Sequence, residues 1–448
     1  MAARPVATGY GDRDIWRIAL PMIIASVTTP LLGLVDTAVV GHLDQPQYLG
    51  AVAAGATLFS VLFMGLNFLR MGTTGITAQA FGAGDGDGAR HALGQALVVA
   101  LLLATLLIAA RGWIIELALA ALDPGAAVAG LAREYFAVRI WSAPATLAGF
   151  VLIGWLIGMQ DARGPLAMTL ATNLVNIVLD IWFVHGLGLQ VRGVALASLL
   201  AEFTGLATGL ACVAARLARH PGRWRITQLV HPDGYRRFAG LNADLLLRTL
   251  ALMFVLAFIT AQGARLGDLV LAANAVLLNF QYFSSYALDG IAHAAEALAG
   301  KAIGAGDRAA LARMVRRALR WTLLLAGGFT LAWMLFGTGI IALLTSIDAV
   351  RATAGAYLPW LVLLPLVSAW SFLYDGVFIG ATWSRAMRQV MLGAALLVFL
   401  PAWLLARPLG NHALWLAFTL FMAARGIGMG LWYRRLAGGN DTVRRHMP

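Results

Sequence analysis

The chain has 448 residues; 60% are hydrophobic types, only 12% are charged, and the mean hydropathy is +0.79. A soluble domain carries about 25% charged residues, so this composition excludes a disordered chain and a water-soluble enzyme of ordinary surface, and fits a protein whose main solvent is lipid. The formal charge is +12, and the single cysteine, Cys212, excludes an internal disulfide and reads as a small core residue.

Residues 1–14 mix Arg4, Asp12, Arg13 and Asp14 and read as a short cytosolic tail. The apolar run starting at Ile15 is too long for the hydrophobic region of a secretory signal. A spanning helix needs about 20 mostly apolar residues. Twelve stretches qualify in chain order: 15–41, 48–76, 91–115, 131–158, 165–185, 192–216, 237–262, 268–299, 315–345, 353–381, 387–405 and 411–433. With the N-terminus inside, 23 of the 33 basic residues fall on cytosolic segments. Six fall outside: Arg111, Arg133, Arg192, Arg265, Arg351 and Arg407. Four, Arg70, Arg139, Arg248 and Arg425, lie within or near spans. That asymmetry supports both the count and the orientation, and it explains the basic charge without nucleic acid.

The segment Ala80-Phe-Gly-Ala-Gly-Asp85 recurs as Ala302-Ile-Gly-Ala-Gly-Asp307, an offset of 222 residues. The same offset pairs Tyr135 with Tyr357, Gly154 with Gly376, Gly158 with Gly380 and Arg163 with Arg385. The expected architecture is an all-α integral membrane protein with twelve transmembrane helices in two parallel-repeat six-helix lobes around a central cleft. The N-terminal lobe is 1–215, a cytosolic linker is 216–236, and the C-terminal lobe is 237–448. This is the usual layout of an alternating-access transporter.

Several motifs resemble one family. Leu31-Leu-Gly-Leu-Val-Asp36-Thr-Ala-Val-Val-Gly41-His42 is similar to the first-helix signature of multidrug and toxic compound extrusion (MATE) transporters. Phe68-Leu-Arg-Met-Gly-Thr-Thr-Gly-Ile-Thr-Ala-Gln-Ala-Phe-Gly-Ala-Gly84 resembles the second-helix signature of the DinF-type subgroup. Asp289-Gly-Ile-Ala-His-Ala-Ala-Glu296 and Asp375-Gly-Val-Phe-Ile-Gly-Ala-Thr382 resemble that subgroup too, and the likeness runs from about residue 14 to 435. It implies a multi-pass protein of the bacterial inner membrane with both termini cytoplasmic, acting as a monomer. It also implies export of bulky, mostly cationic or amphipathic compounds, driven by inward flow of protons or of sodium ions. The subgroup favours protons.

A charge at the bilayer centre costs roughly 2.5–3.5 kcal/mol on insertion scales, so carboxylates inside spans are functional candidates. Asp36 lies six residues before His42, Asp180 six before Gly186, and Ser198 six after Arg192. At 1.5 Å per residue all three sit about 9 Å below the outer rim. Asn176 is one turn deeper than Asp180 on the same face. Two carboxylates in a poorly hydrated pocket cannot both stay ionised cheaply, so such a pair takes up a proton or shares a sodium ion with Asn and Ser oxygens. The resemblance implies an ion-linked site here: Asp36, Asn176 and Asp180 match its pattern, and Ser198 keeps the hydroxyl where threonine is more usual. The alternative for Asp36 and Asp180 is hydrogen bonding to neighbouring helices.

The other buried charges have blander readings. Asp244 and Arg248, at i and i+4, are expected to pair along one helix. Glu202 follows Ser198 by one turn and reads as its supporting partner or as structure. Asp289, His293 and Glu296 share one long helix, lining a C-lobe path or serving interlobe structure; Asp375 is a further candidate. Met22, Met64, Phe59 and Phe63 suit an adaptable cleft for organic cations, although stripes at helical spacing are more often plain packing. Gly300-Lys301-Ala302 lacks a phosphate-binding loop, and no His-Glu-x-x-His or Gly-x-Ser-x-Gly occurs. The chain therefore reads as a transporter without cofactor rather than an enzyme, with a lipid-linked precursor flippase or a passive channel as rivals.

Overall fold

A computed structural model describes residues 10–41, 45–229 and 231–437. Among them every regular element is helical, as hydrocarbon requires of a chain that must satisfy its own backbone. Twelve helices are long: α1 (Asp12–Gly41), α2 (Pro46–Gly82), α3 (Gly86–Ala109), α4 (Ala126–Gly158), α5 (Arg163–Gly186), α6 (Gln190–Arg219), α7 (Pro232–Arg265), α8 (Asp268–Gly304), α9 (Arg308–Leu344), α10 (Asp348–Gly380), α11 (Ser384–Leu409) and α12 (Asn411–Ala437). Ten of them are apolar enough to cross a membrane by composition, and α1 and α8, 30 and 37 residues long, complete the twelve. Each expected span falls on one of these helices. A shorter helix, Arg111–Leu122, continues α3 and takes the end of the third span; Arg133 on α4 forks onto its Glu116 with bonds of 2.8 and 2.9 Å.

The chain folds as two compact units. One comprises Ile24–Phe81 and Asp85–Phe238; the other comprises Met1–Ile23, Gly82–Gly84 and Ala239–Pro448. The division falls inside α1. The segment expected as a linker contains the end of α6, one turn at Ile226–Leu229 and the start of α7.

The repeat is legible in local geometry. The starts of α2 and α8, of α3 and α9, and of α4 and α10 are each 222 residues apart. Asp85 caps α3 by accepting from the Gly88 amide, and Asp307 caps α9 by accepting from the Ala310 amide. Each cap follows a glycine at φ 71°, Gly84 and Gly306, in the left-handed region where a side chain would be strained. The tight turns after α4 and α10 also match: Asp161 N donates to Leu156 O, and Trp383 N donates to Phe378 O.

α4 and α10 are the inner helices of their units. They bury 72% and 61% of their most apolar stretch, whereas α2, α5, α9 and α11 bury 22%. Small residues make close packing possible there. A Cβ on Gly154 would sit 2.4 Å from the Arg70 carbonyl oxygen, and one on Gly376 would sit 2.1 Å from that of Ala292.

Candidate functional site

The site of the first unit is built on α2, α4, α5 and α6. On α6, Gly205 and Gly209 form a small-residue stripe that receives Thr172 and Met168 of α5. That contact brings the polar faces of α5 and α6 together. Asn176 and Asp180 share one face of α5, and Asn176 Nδ2 donates to Asp180 Oδ2 at 2.8 Å. Asp180 is fully buried, Asn176 is 2% exposed and Ser198, on α6, is 8% exposed. Just past Asp180, α5 widens into a π-turn over Trp182–Gly186, an irregularity common beside functional residues.

Asn176 and Ser198 line a cavity of about 450 Å³. Phe59, Phe63 and Met64 of α2 form its apolar side, with Tyr135 and Phe150 of α4. Phe59 lies 5.2 Å from Phe136, stacked, and meets Tyr135 edge-on at 6.2 Å. Met22 does not line it; it is buried in the other unit. The backbone of α1 at Asp36 is helical, but the Asp36 side chain lies outside the described residues, as does His42. Asp180, Asn176 and Ser198 are thus the part of the expected cation site whose placement is described.

Sequence reasoning assigned no role to Arg139. It projects from α4 where the helix tightens into a 3₁₀ turn, Ile140–Ser142. Pro144 explains the turn, because it has no N–H for the Ile140 carbonyl. Arg139 Nη1 donates to Ser142 Oγ, and Nη2 donates to Glu202 Oε1 at 3.2 Å. Its guanidinium lies 5.5 Å from the Phe59 ring centroid. Glu202 therefore pairs with α4 as well as standing one turn from Ser198. The available signal was an arginine inside a span five residues before a proline.

The second unit holds a different charge cluster. Asp375 Oδ2 on α10 accepts from Arg425 of α12 at 2.7 Å and also from Arg248 of α7. Asp244 accepts from Ser384 at 2.7 Å and from Arg388 at 2.5 Å, both on α11. The pair expected between Asp244 and Arg248 does not form, since each finds its partner on another helix. Glu296 meets His293 Nδ1 at 3.3 Å, and Asp289 is half-buried on α8. At the 222-residue offset Asn176, Asp180 and Ser198 correspond to Val398, Ala402 and Leu420, while Arg248, Asp375 and Arg425 correspond to Ser26, Ile153 and Phe203. The two units share a frame and differ in their buried polar groups.

The sequence profile of the MatE family matches residues 21–182 and 245–404. The DNA damage-inducible protein F of Escherichia coli is 46% identical over 428 residues, 95% of this chain and 92% of that protein. A probable multidrug resistance protein NorM of Rhizobium meliloti is 26% identical over 94% of this chain and 92% of its own length. The crystal structure of a MATE protein in complex with MaD3S superposes with a TM-score of 0.86 over 98% of this chain and 99% of that one, at 21% identity. With both halves matched by the profile and nearly the whole length shared with the Escherichia coli protein, this chain belongs to the MATE family of transporters.

Proposed function

We propose that this protein is a secondary active antiporter that exports bulky, mostly cationic organic compounds in exchange for protons by alternating access. Sodium is the alternative coupling ion. The observation that carries the reading is the buried Asn176–Asp180 pair beside an aromatic-walled cavity that also holds Ser198. A carboxylate removed from water is expensive unless a cation joins it. A proton on Asp180 relieves that cost. So does a sodium ion, with the Asn176 carbonyl and the Ser198 hydroxyl as further oxygen ligands. Aromatic faces such as Phe59 and Phe63 attract organic cations. In this reading Asp36 is the second carboxylate. Loading the coupling ion at Asp36 and Asp180 removes the negative charge that retains a cationic substrate, so cargo leaves outward; release of the ion inside restores the charge. Glu202, Asp289 and Asp375 are secondary, and the working unit is a monomer in the inner membrane with both termini in the cytoplasm.

Transport of a cationic dye in everted vesicles, with pH and sodium gradients imposed separately, tests this. The expected result is dye movement that follows the pH gradient and falls at least about tenfold in Asp36→Asn and Asp180→Asn, the scale of losing one charge-assisted contact. Full coupled transport in both variants overturns the assignment.

A further inference from the structure

We propose that Arg139 and Glu202 give the first unit's cavity a preference, among the amine-bearing compounds it takes, for molecules that carry a carboxylate as well. This rests on the reading of that cavity as the substrate site. Among the described residues lining it, Arg139 and Glu202 are the two with formal charges. They come from different helices and meet through one bond of 3.2 Å, whereas the exposed Arg133–Glu116 pair makes two, at 2.8 and 2.9 Å. Among the described residues Glu202 Oε2 accepts no hydrogen bond. The two side chains remain 12% and 26% exposed, so the pair is neither sealed nor saturated.

The surroundings hold the guanidinium ready. The turn before Pro144 fixes the Arg139 backbone, Ser142 takes Nη1, and the guanidinium carbon lies over the Phe59 ring. A substrate bearing only an ammonium group can pair with Glu202, but it then competes with Arg139 for that carboxylate and faces it as a like charge. A substrate bearing both charges replaces both halves of the ion pair. Its carboxylate takes Arg139 and its ammonium takes Glu202, so two charge-assisted bonds form and the net charge of the cavity is unchanged. Discrimination comes from the cation left without a counter-charge when the substrate lacks a carboxylate.

The test uses an aminomethyl-biphenyl carboxylic acid and its methyl ester, which keeps the ammonium and loses the carboxylate. Calorimetric binding of each to the purified full chain is measured for the wild type, Arg139→Gln, Arg139→Lys and Glu202→Gln. The wild type is expected to bind the acid more tightly than the ester. Arg139→Gln should lower acid affinity by about tenfold or more while ester affinity holds or improves, since one charge-assisted bond is worth at least that factor. Arg139→Lys should keep part of the acid preference, and Glu202→Gln should weaken the ester more than the acid. No preference in the wild type, or equal loss of both compounds in Arg139→Gln, overturns the proposal. If Arg139→Gln does not fold, an unchanged acid-to-ester ratio in both Arg139→Lys and Glu202→Gln overturns it equally. Should binding follow this pattern while neither compound moves in vesicles under either gradient, the export reading fails and the selectivity stands.

Discussion

Asp375 serves two guanidinium groups with one oxygen, and all three side chains are at least nine-tenths buried: Arg425 is 2% exposed, Arg248 7% and Asp375 7%. Removing one partner of a buried ionic cluster leaves an uncompensated charge, which costs about 3–5 kcal/mol. Asp375→Asn is therefore expected to lower the thermal unfolding midpoint of the detergent-solubilised protein sharply. Arg425→Gln should do so less, because Arg248 still neutralises the carboxylate; equal midpoints for Asp375→Asn and the wild type would remove the cluster from the stability argument. The same cluster marks a limit of spacing rules. Asp244 and Arg248 stand at i and i+4, and a helical pair at that spacing is worth only about 0.2–0.5 kcal/mol. Ser384, Arg388 and Asp375, more than 120 residues along the chain, offer each of them stronger hydrogen-bonded partners. Arg139 and Glu202, 63 residues apart, escaped local reasoning for the same reason. Asn176 and Asp180 were legible because one turn of one helix joins them.

Helices are the scale at which the sequence is most informative, because the apolar runs are long and polar turn signals end them. The Gly-Asp turns at Gly84-Asp85 and Gly306-Asp307 start α3 and α9 by a side-chain cap that the residue order specifies. Less legible is which face of a helix carries its neighbour, since apolar residues stand on every side of α10. Glycines report it once the structure is known. Gly376 lies where a Cβ would meet the Ala292 carbonyl oxygen at 2.1 Å, and Gly380 where it would meet that of Glu296 at the same distance. Backbone atoms cannot yield without moving α8 from α10. Gly376→Ala is expected to destabilise by about 1–3 kcal/mol, the cost of overpacking. Gly327→Ala on α9, with no atom within 4 Å of its Cβ, should be neutral or stabilising by up to about 1 kcal/mol. Midpoints of the two alanine variants measured side by side check the pair; a larger loss at Gly327 contradicts the packing assignment.

Across the whole molecule, duplication supplies the frame and divergence supplies the work. Positions related by 222 residues keep their caps, tight turns and close-packed glycines, while five of the six buried polar groups compared are exchanged for apolar ones and Arg248 for Ser26. In the proposed reading one unit is enough to hold a coupling site, and the orientation of the chain decides which rim that site lies nearer. Asp180 lies six residues from the end of α5, and Ser198 eight residues after the start of α6. If the basic cytosolic segments set the topology, this end faces outward. The orientation is open to direct measurement. With Cys212 replaced by serine, single cysteines at Gly125 and Ile347 should react with a membrane-impermeant maleimide in intact cells. Cysteines at Trp224 and Arg308 should react only after permeabilisation. All four positions suit the labelling: Trp224, Arg308 and Ile347 are exposed, and no atom lies within 4 Å of a Cβ built on Gly125. The reverse pattern would place the Asp180 end on the cytoplasmic side and overturn the orientation.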